Sequence, residues 1–329
     1  MLTNKQLDAK IKELDEYLLD DYKKIAKEKQ KNRDFKQYEN DFMRRVKTVI
    51  RRLDSLIKKA ANMQVYRGNG PKPKLTAAQK LRLFLVKQLV DKSNRNMAYM
   101  LDLFCILVGI DISYKTVERL YSDIELRMVL HNLHTLLLRK KDIKNIDSCG
   151  DATGYSLVIS KHYASFAVKR KDKAKEQSQK KKQFVYKFVL MDLKTRMYVC
   201  YGTSMISERK AFDEAMKMLQ SIDISINSIR LDKYYSFPCY VKMFPDSKVY
   251  IIPRKNSQLG HGEKWLHTML EFVEETMGYL EHYYQRNNSE NGFSVDKKLF
   301  GWGIRQKRDD RIDTAGFSQV VWHNLFYSF

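Results

Sequence analysis

The sequence predicts a mixed α+β chain, in which a helical N-terminal region is followed by a mixed five-stranded sheet flanked by helices. Through residues 1–62 and 75–140, apolar residues recur at steps of three and four, which is the period of amphipathic helices. From about residue 143 the pattern changes to short segments rich in β-branched and aromatic residues, which is typical of strands. This change of period indicates a helical part followed by a part built on a sheet.

The first helical stretch is expected to form amphipathic helices with basic polar faces. Apolar side chains recur from Leu7 to Ile25, and again from Phe42 to Ala61, with Ile50 among the second set. Lysine and arginine crowd the positions between them. Two interpretations stay open at this point: a helical pair docked on the main body with solvated charges, or a DNA-binding or dimerising arm.

A segment rich in glycine and proline marks a boundary between the helical stretches. RGNGPKPK contains two glycines and two prolines within eight residues, which is typical of a linker. The predicted organisation is therefore a basic helical region at 1–66, a linker at 67–74, a helical domain at 75–141 and a sheet-containing domain at 142–329.

The second helical region has the layout of a helix-turn-helix. A helix at about 94–107 reaches Gly109, a natural helix end, and Ser113 is expected to cap a further helix beginning YKTVERLY. Many helical bundles share this layout, but together with the basic charge it favours DNA binding. The exposed side of the second helix is expected to present Tyr114, Lys115, Glu118 and Arg119.

Five strands and several helices follow in an order typical of a mixed sheet. The helix between the third and fourth strands is expected at 209–222, and a long helical tract from about Glu263. The charged segment 169–183 between the first two strands is expected to be a solvated loop. The predicted strands lie in IKNIDSCGDATGYSLVIS, FVYKFVLMDL, RMYVCYGTS, SIRLD and KVYIIPR.

The charge of the chain favours a polyanionic partner. There are 61 Lys and Arg against 39 Asp and Glu, a formal net charge of +22, and such an excess attracts nucleic acid. The chain has no apolar run long enough to span a membrane, no apolar signal-peptide region and no phosphate-binding GxxxxGK[ST] loop. Its four cysteines form no CxxC pair, which favours reduced thiols over a zinc site.

Three acids are candidates for a metal site. Asp151 in GDATGYS is expected to follow the first strand, Asp232 in RLDKYY to end the fourth, and Glu290 to lie on a later helix. Functional residues of mixed sheets gather at strand ends, and such carboxylates can hold a pair of divalent cations. Asp147, four residues earlier in the first strand, is an alternative to Asp151.

Glu290 also belongs to a spaced set of four residues, Tyr-x2-Arg-x3-Glu-x6-Lys. If this segment is one helix, Tyr283, Arg286, Glu290 and Lys297 share a face. A carboxylate beside two cations suits phosphodiester chemistry, because a metal can activate the attacking group while the cations hold the backbone. The alternative is a solvated helix with ordinary ion pairs.

Taken together, GDATGYS, LDKYY and the four-residue signature resemble a DDE transposase of prokaryotic insertion sequences, over roughly residues 143–329. They resemble the group that has this signature and a ribonuclease-H-like catalytic domain. The resemblance implies that Asp151, Asp232 and Glu290 form the catalytic triad and bind Mg²⁺ or Mn²⁺, two ions in all. It implies that Tyr283, Arg286 and Lys297 grip the phosphates at the transposon end.

The same resemblance extends to the partners of the chain. IIPRKN resembles the strand and basic segment of the family that follows the second Asp, so Arg254 and Lys255 are expected to contact DNA. In the helical domain, Tyr114, Lys115 and Arg119 are expected to read the terminal inverted repeats. The implied partners are double-stranded DNA, at the element ends and the target, and a second copy of the chain. The implied location is the nucleoid in a prokaryotic cytoplasm.

Three other functions remain open from the sequence. A metal-dependent nuclease without strand transfer would use the same acids, and a regulator or domesticated transposase would bind DNA without cutting it. An RNA-binding protein is favoured only by the net charge. The three tryptophans, Trp265, Trp302 and Trp322, are each expected to pack in the core rather than to stack on bases.

Overall fold

In a computed structural model, the structure describes residues 2–14, 34–63, 73–90, 109, 112–157, 184–306 and 308–329. The predicted linker at 67–74 lies mostly outside these ranges, as do the charged segment 169–183 and the first helix of the predicted helix-turn-helix. The domain boundaries therefore stay predictions. No helix within the described ranges combines the length and apolar character needed to cross a membrane.

The described chain combines helices with one mixed sheet, as predicted. The strands are β1 Asn145–Leu157, β2 Phe184–Asp192, β3 Tyr198–Ser204, β4 Ser225–Leu231, β5 Lys248–Tyr250 and β6 Gly303–Ile304. The helices are α1 at residues 4–14, α2 Phe35–Ala61, α3 Ala77–Val90, α4 Tyr114–Leu120, α5 Ile124–Lys140, α6 Glu208–Gln220, α7 Pro238–Lys242, α8 Glu263–Glu274, α9 Thr276–Tyr284, α10 Asn287–Phe300 and α11 Asp309–Tyr327.

The sheet has the order β3-β2-β1-β4-β5, and β6 also pairs with β1. Strands β1, β2 and β3 form an antiparallel meander, whereas β4, β5 and β6 join by parallel pairing. Five of the six strands were predicted. The sixth was missed because two residues are too few to show a period of two.

One edge of β1 is shared by two partners with a gap between them. Strand β4 pairs with β1 as far as Gly150, and β6 pairs with it only from Ser156. On the other edge, β2 pairs with β1 continuously from Ser148 to Ser156. Residues 151–155 are therefore held in an extended strand by β2, while their opposite edge pairs with neither β4 nor β6.

Helices cover both faces of the sheet. In β2, Lys187 contacts α10 and α11, whereas Phe188 packs on Phe212 of α6. Successive side chains of a strand point to opposite faces, so α6 lies on one face and α10 and α11 on the other. Helix α6 is preceded by its N-cap residue Ser207, whose hydroxyl accepts a hydrogen bond from the backbone amide of Lys210.

Helix α11 joins the N-terminal helices to the sheet. It contacts β3 on one side and α2, α3 and α5 on the others. The indole of Trp322 donates to the carbonyl of Leu85 in α3 at 3.0 Å, and the amide of Asn324 forms two hydrogen bonds with the backbone of Tyr198 in β3. The N-terminal helical part and the sheet-containing part thus share one apolar core.

The basic helix α2 differs from its prediction in two ways. It begins at Phe35, seven residues before the predicted start at Phe42. Asp34 caps it there, because its carboxylate accepts a hydrogen bond from the backbone amide of Gln37. Ile50 was expected on the apolar face but is 49% exposed, while its neighbour Val49 is fully buried. The buried stripe follows a steady step of three or four through Val49, Leu53, Ile57 and Ala60.

Candidate active site

Asp151 and Asp232 meet where β4 leaves β1. Gly150 of β1 pairs with Leu231, the last residue of β4, so the next residue in each strand is one of the two aspartates. Asp232 ends β4 as predicted and caps a short 3₁₀ turn, Lys233–Tyr235. The prediction that Asp151 follows its strand is wrong: it lies in the middle of β1, because β2 keeps β1 extended beyond the end of β4.

Helix α10 brings Glu290 to the same place. The helix packs against β1 and β2 through Ser289, which is fully buried, and Gly292. A side-chain carbon at Gly292 would lie 2.6 Å from the hydroxyl of Tyr198 and 2.7 Å from the terminal methyl of Met191. The absence of that carbon lets the helix approach the sheet closely enough to hold Glu290 beside the strand.

The guanidinium of Arg286 lies among all three acids. Its Nη1 is 2.9 Å from Oε1 of Glu290 and 3.8 Å from Oδ2 of Asp151, and its Nη2 is 3.5 Å from Oδ1 of Asp232. Three acids from a strand interior, a strand end and a helix therefore converge on one cation. We call Asp151, Asp232, Glu290 and Arg286 the acidic site.

The electrostatics of the acidic site show a surplus of negative charge. Burial above all, together with the charges of Asp232 and Glu290, raises the pKa of the Asp151 carboxyl to about 7, although the amide of Ala152 and the guanidinium of Arg286 lower it. Burial lowers the pKa of Arg286, but Tyr283 and the three acids outweigh it, so that the pKa is raised overall. The carboxylates are thus close enough to act on one another.

The four signature residues do not lie on a single helix. Helix α9 ends at Tyr284 and α10 begins at Asn287, so Arg286 lies in the turn between them. Tyr283 is 3% exposed, and the guanidinium carbon of Arg286 lies 5.7 Å from the centre of its ring. Burial raises the pKa of Tyr283, which keeps the phenol neutral.

Lys297 lies beside the gap between β4 and β6 along β1, about two helical turns after Glu290. Its ammonium donates to Oγ1 of Thr153 at 2.6 Å, and it lies 4.8 Å from the ring centre of Trp302 and 5.4 Å from that of Tyr155. Burial lowers the pKa of Lys297. Of the four signature residues, Arg286 and Glu290 thus bind each other. Lys297 instead lies between the rings of Tyr155 and Trp302.

Arg254 lies next to the turn that begins at Asp232. Its Nε and Nη2 donate to the carbonyls of Lys233 and Tyr234 at 3.2 and 2.8 Å, and its guanidinium stacks 4.1 Å from the ring centre of Phe237. Lys255 follows it and is exposed. The structure therefore places this basic segment at the rim of the acidic site.

The predicted recognition residues of α4 lie elsewhere. Tyr114, Lys115 and Arg119 are exposed as predicted, Val117 and Leu120 are buried, and Gly109 has the positive φ of 67° that favours glycine. Glu118 is half-buried and binds Arg311 at 2.6 Å. Ser113 precedes the helix as predicted, but its hydroxyl makes no cap hydrogen bond. No contact given by the described residues joins α4 to the acidic site.

Asp147, the alternative to Asp151, has different partners. Its carboxylate accepts a hydrogen bond from the hydroxyl of Ser228, which in turn accepts one from Arg230. The guanidinium of Arg230 also donates to the carbonyl of His282. Asp147 is therefore linked through Ser228 to Arg230 of β4, whereas Asp151 faces Arg286.

A second charged group, which was not predicted from the sequence, lies between α10 and the sheet. Asp296 is fully buried and accepts from the hydroxyl of Tyr198 at 3.1 Å and from Nδ1 of His323 at 2.9 Å, with Nζ of Lys187 at 3.9 Å. We call these four residues the buried cluster. One signal pointed to it: Lys187 stands alone among the apolar residues of FVYKFVLMD.

The tryptophans divide into two kinds. Trp265 and Trp322 are buried, as predicted. Trp302 was expected in the core but is 69% exposed, because it precedes the two-residue strand β6 at the edge of the sheet. Its ring lies beside Lys297 and so belongs to the rim of the site.

The donor set of the acidic site suits a hard cation. Three carboxylates offer the oxygen ligands that Mg²⁺ and Mn²⁺ prefer, and Mg²⁺ needs only one or two of them because waters and phosphates complete its shell. Among the described residues, however, no three His, Cys, Asp or Glu side chains are close enough to hold an ion together. The guanidinium of Arg286 lies between the carboxylates instead.

Comparison with known proteins gives one strong relationship. The chain is 45% identical over 259 residues to a protein of Archaeoglobus fulgidus named as the probable transposase for insertion sequence element ISA1214. The aligned part covers 78% of this chain and 76% of that protein. No family model matches the chain, and no solved structure matches it.

Proposed function

Because the chain belongs to the family of this probable insertion-sequence transposase, we propose that it is a DDE-type transposase. It binds the terminal inverted repeats of its element as double-stranded DNA and cleaves the DNA at the element ends. It then joins the freed 3′-hydroxyl to target DNA. We also assign its sheet to the ribonuclease-H-like class, and the order β3-β2-β1-β4-β5 with an antiparallel meander at one side supports that assignment.

One observation carries the proposal: the three acids of the family signature converge on one point. They come from positions 151, 232 and 290, which are far apart in the sequence, and each lies within 3.8 Å of the same guanidinium. A structural ion pair needs one acid for one arginine, and a surplus of neighbouring negative charge raises the free energy of the fold. Such a surplus is typical of a site that takes up further cations.

Asp151, Asp232 and Glu290 would hold two Mg²⁺ or Mn²⁺ ions. When bound, such ions supply an activated attacking oxygen and stabilise the leaving oxygen of the phosphodiester. Burial raises the pKa of the Asp151 carboxyl to about 7, and a bound divalent cation would favour its ionised form. No covalent bond between protein and DNA is part of this reaction.

The basic residues around the acids position the DNA. Arg286 and Lys297 contact the phosphates next to the bond that is cut, and the buried ring of Tyr283 supports the guanidinium from one side. Arg254 and Lys255 extend the same surface beyond Asp232. On α4, Tyr114, Lys115 and Arg119 read the inverted repeat. Because an element has two ends, the working unit is a homodimer on DNA, at the nucleoid of a prokaryotic cell.

Cleavage of DNA that carries the gene's own flanking sequence tests the proposal. Wild type is compared with Asp232→Ala, with and without Mg²⁺, and with Asp147→Ala as a matched control in the same sheet. We expect cutting at the element boundary that requires Mg²⁺, is lost in Asp232→Ala and persists in Asp147→Ala. Binding without cutting by the wild type would favour a non-catalytic DNA-binding protein instead.

A second substrate separates the transposase from a simple nuclease. A duplex that already ends at the element boundary needs no first cut, so joining it to a plasmid measures strand transfer alone. We expect Mg²⁺-dependent joining by the wild type. Cleavage of the first substrate without joining of the second would identify a metal-dependent nuclease that uses the same acids.

A further inference from the structure

The two cations of the signature are used differently. Arg286 binds the three carboxylates of the acidic site, whereas Lys297 binds the hydroxyl of Thr153 and two aromatic rings. If both residues served only to hold phosphates, both would be expected to lie on the rim and to leave the acids free. Their different contacts indicate that Arg286 has a second task.

The guanidinium occupies the oxygens that a divalent ion would need. Arginine is always protonated and only donates hydrogen bonds, so each carboxylate oxygen that faces it has a lone pair directed at a cation already. The contact to Glu290 at 2.9 Å is a close ion pair, and those at 3.5 and 3.8 Å add attraction across a partly buried space. An incoming ion has to compete with this resident charge.

Arg286 is also placed so that it can leave. It lies in the two-residue turn between α9 and α10 rather than within either helix, and its side chain is 18% exposed. Its Nε is buried and has no hydrogen-bond partner among the described residues. A DNA phosphate would offer the planar, two-point contact that a guanidinium prefers, and it would use donors that the acids do not satisfy.

On the basis of the proposed function, we propose that Arg286 is a resident counter-cation of the three acids. In the free protein it competes with divalent metal ions for Asp151, Asp232 and Glu290. When DNA binds, the phosphate draws the guanidinium off the carboxylates and opens them to the ions. Metal binding and DNA binding are thereby coupled through one side chain, so that the free protein carries little bound metal.

The coupling has a reciprocal consequence. If DNA increases the affinity for metal ions by some factor, metal ions must increase the affinity for DNA by the same factor. Lys297 also faces DNA in the proposed complex but does not touch an acid. Its removal should therefore weaken DNA binding without changing the affinity of the free protein for metal ions, which makes Lys297→Gln a matched control.

The first experiment is a titration of the free protein with Mn²⁺, in which electron paramagnetic resonance counts the unbound ion. We expect Arg286→Gln to bind Mn²⁺ about tenfold more tightly than wild type, the size of a typical coupling between two ligands. Lys297→Gln should bind as wild type does. Unchanged or weaker Mn²⁺ binding by Arg286→Gln, with folding verified by circular dichroism, would overturn the competition.

The second experiment repeats the titration with a duplex that ends at the element boundary. We expect this duplex to tighten Mn²⁺ binding by the wild type about tenfold, and to have little effect in Arg286→Gln, whose acids are already open. Arg286→Lys restores a cation and should regain part of the coupling. Equal tightening by DNA in wild type and Arg286→Gln would show that the coupling does not pass through this residue.

These titrations separate the inference from the function on which it rests. If Asp232→Ala binds Mn²⁺ as well as the wild type does, or if neither wild type nor Arg286→Gln binds the ion with or without DNA, the metal site itself is wrong and both proposals fall. If the wild type binds Mn²⁺ through Asp232 but Arg286→Gln binds it no better, only the role given to Arg286 is wrong. Cleavage activity is not needed to decide between these outcomes.

Discussion

Helix α10 carries two acids into opposite surroundings. Glu290 faces the acidic site and is about half exposed, whereas Asp296, six residues later, is fully buried in the buried cluster. Six residues turn a helix by about 240°, so the two carboxylates leave it on different faces. The same short helix therefore supplies one acid to the acidic site and one to the interior.

The two groups differ in how their charges are matched. In the buried cluster one carboxylate accepts two hydrogen bonds and faces one ammonium, and His323 is in turn held by the carbonyl of Arg196 at 2.9 Å. In the acidic site three carboxylates share one guanidinium. Balanced charge inside a protein indicates a structural role, whereas a surplus near the surface indicates a site that binds something else.

The largest expected difference concerns Asp151→Asn. We expect this change to abolish cleavage, by a thousandfold or more (on the order of 4 kcal/mol of activation free energy). In chelator at about pH 8, the free energy of unfolding should rise by about 1–3 kcal/mol, because a repelled and buried charge is removed. Cleavage assays and urea unfolding of one preparation measure both. A loss of stability would mean that Asp151 is structural.

Asp296→Asn should give the opposite result. It leaves the ammonium of Lys187 fully buried without a counter-charge, so we expect a loss of about 3–5 kcal/mol in the free energy of unfolding. Urea denaturation measures it, and Lys187→Met combined with Asp296→Asn should recover part of the loss. An Asp296→Asn protein as stable as the wild type would contradict the structural role of the buried cluster.

The pH dependence of stability sharpens the comparison further. In the folded protein the pKa of Asp151 is about 7, above its ordinary value of 3.8, so between these values the folded state holds a proton that the unfolded state has released. In chelator, the wild type should therefore lose stability as the pH rises from about 4 to about 7, by up to about 4 kcal/mol from this group.

Asp151→Asn lacks that group, and its stability should fall less over the same range. Asp147→Asn is the control, because it removes an acid from the same strand but not from the acidic site. The measurement is urea unfolding of the three proteins at a series of pH values. Equal pH dependence in wild type and Asp151→Asn would mean that the carboxyl of Asp151 is ionised at ordinary pH.

The smallest expected effect concerns the packing of α10 on the sheet, which positions both the acidic site and the buried cluster. Gly292→Ala places a methyl group against the hydroxyl of Tyr198, which is buried and already bonded to Asp296, so we expect a loss of about 1–3 kcal/mol. Gly278→Ala in α9 has open space around it and should stabilise by about 0.5–1 kcal/mol. Thermal or urea unfolding of both variants measures the difference between their free energies of unfolding. This difference would vanish if α10 can move away from Tyr198 to make room for the methyl group.

The sequence predicted the acidic site better than the buried cluster, for a physical reason. Arg286, Glu290 and Lys297 stand at spacings that one signature describes, and the strand ahead of Asp232 was visible from its β-branched residues. The buried cluster joins Lys187, Tyr198, Asp296 and His323 from two strands and two helices. Such contacts depend on how elements pack in three dimensions, which no local period reports.

Errors in the predicted site share the same origin. Asp151 was expected to follow the first strand, but pairing with β2 keeps β1 extended well beyond the point where β4 ends. The break between Tyr283 and Arg286 leaves both residues near helical angles, so the spacing of three gave no warning. Trp302 was expected in the core because most tryptophans are, and only the short strand β6 explains its exposure.

The position of α11 has a consequence for how the protein is made. All three acids are translated before this helix, yet the N-terminal helices and β3 both bury their apolar faces against it. On the ribosome these faces stay open until residues 309–327 emerge, because folding follows the order of synthesis. A chain that stops before this helix, through a nonsense mutation for example, keeps all three acids. It lacks the helix against which the N-terminal helices and the sheet both pack.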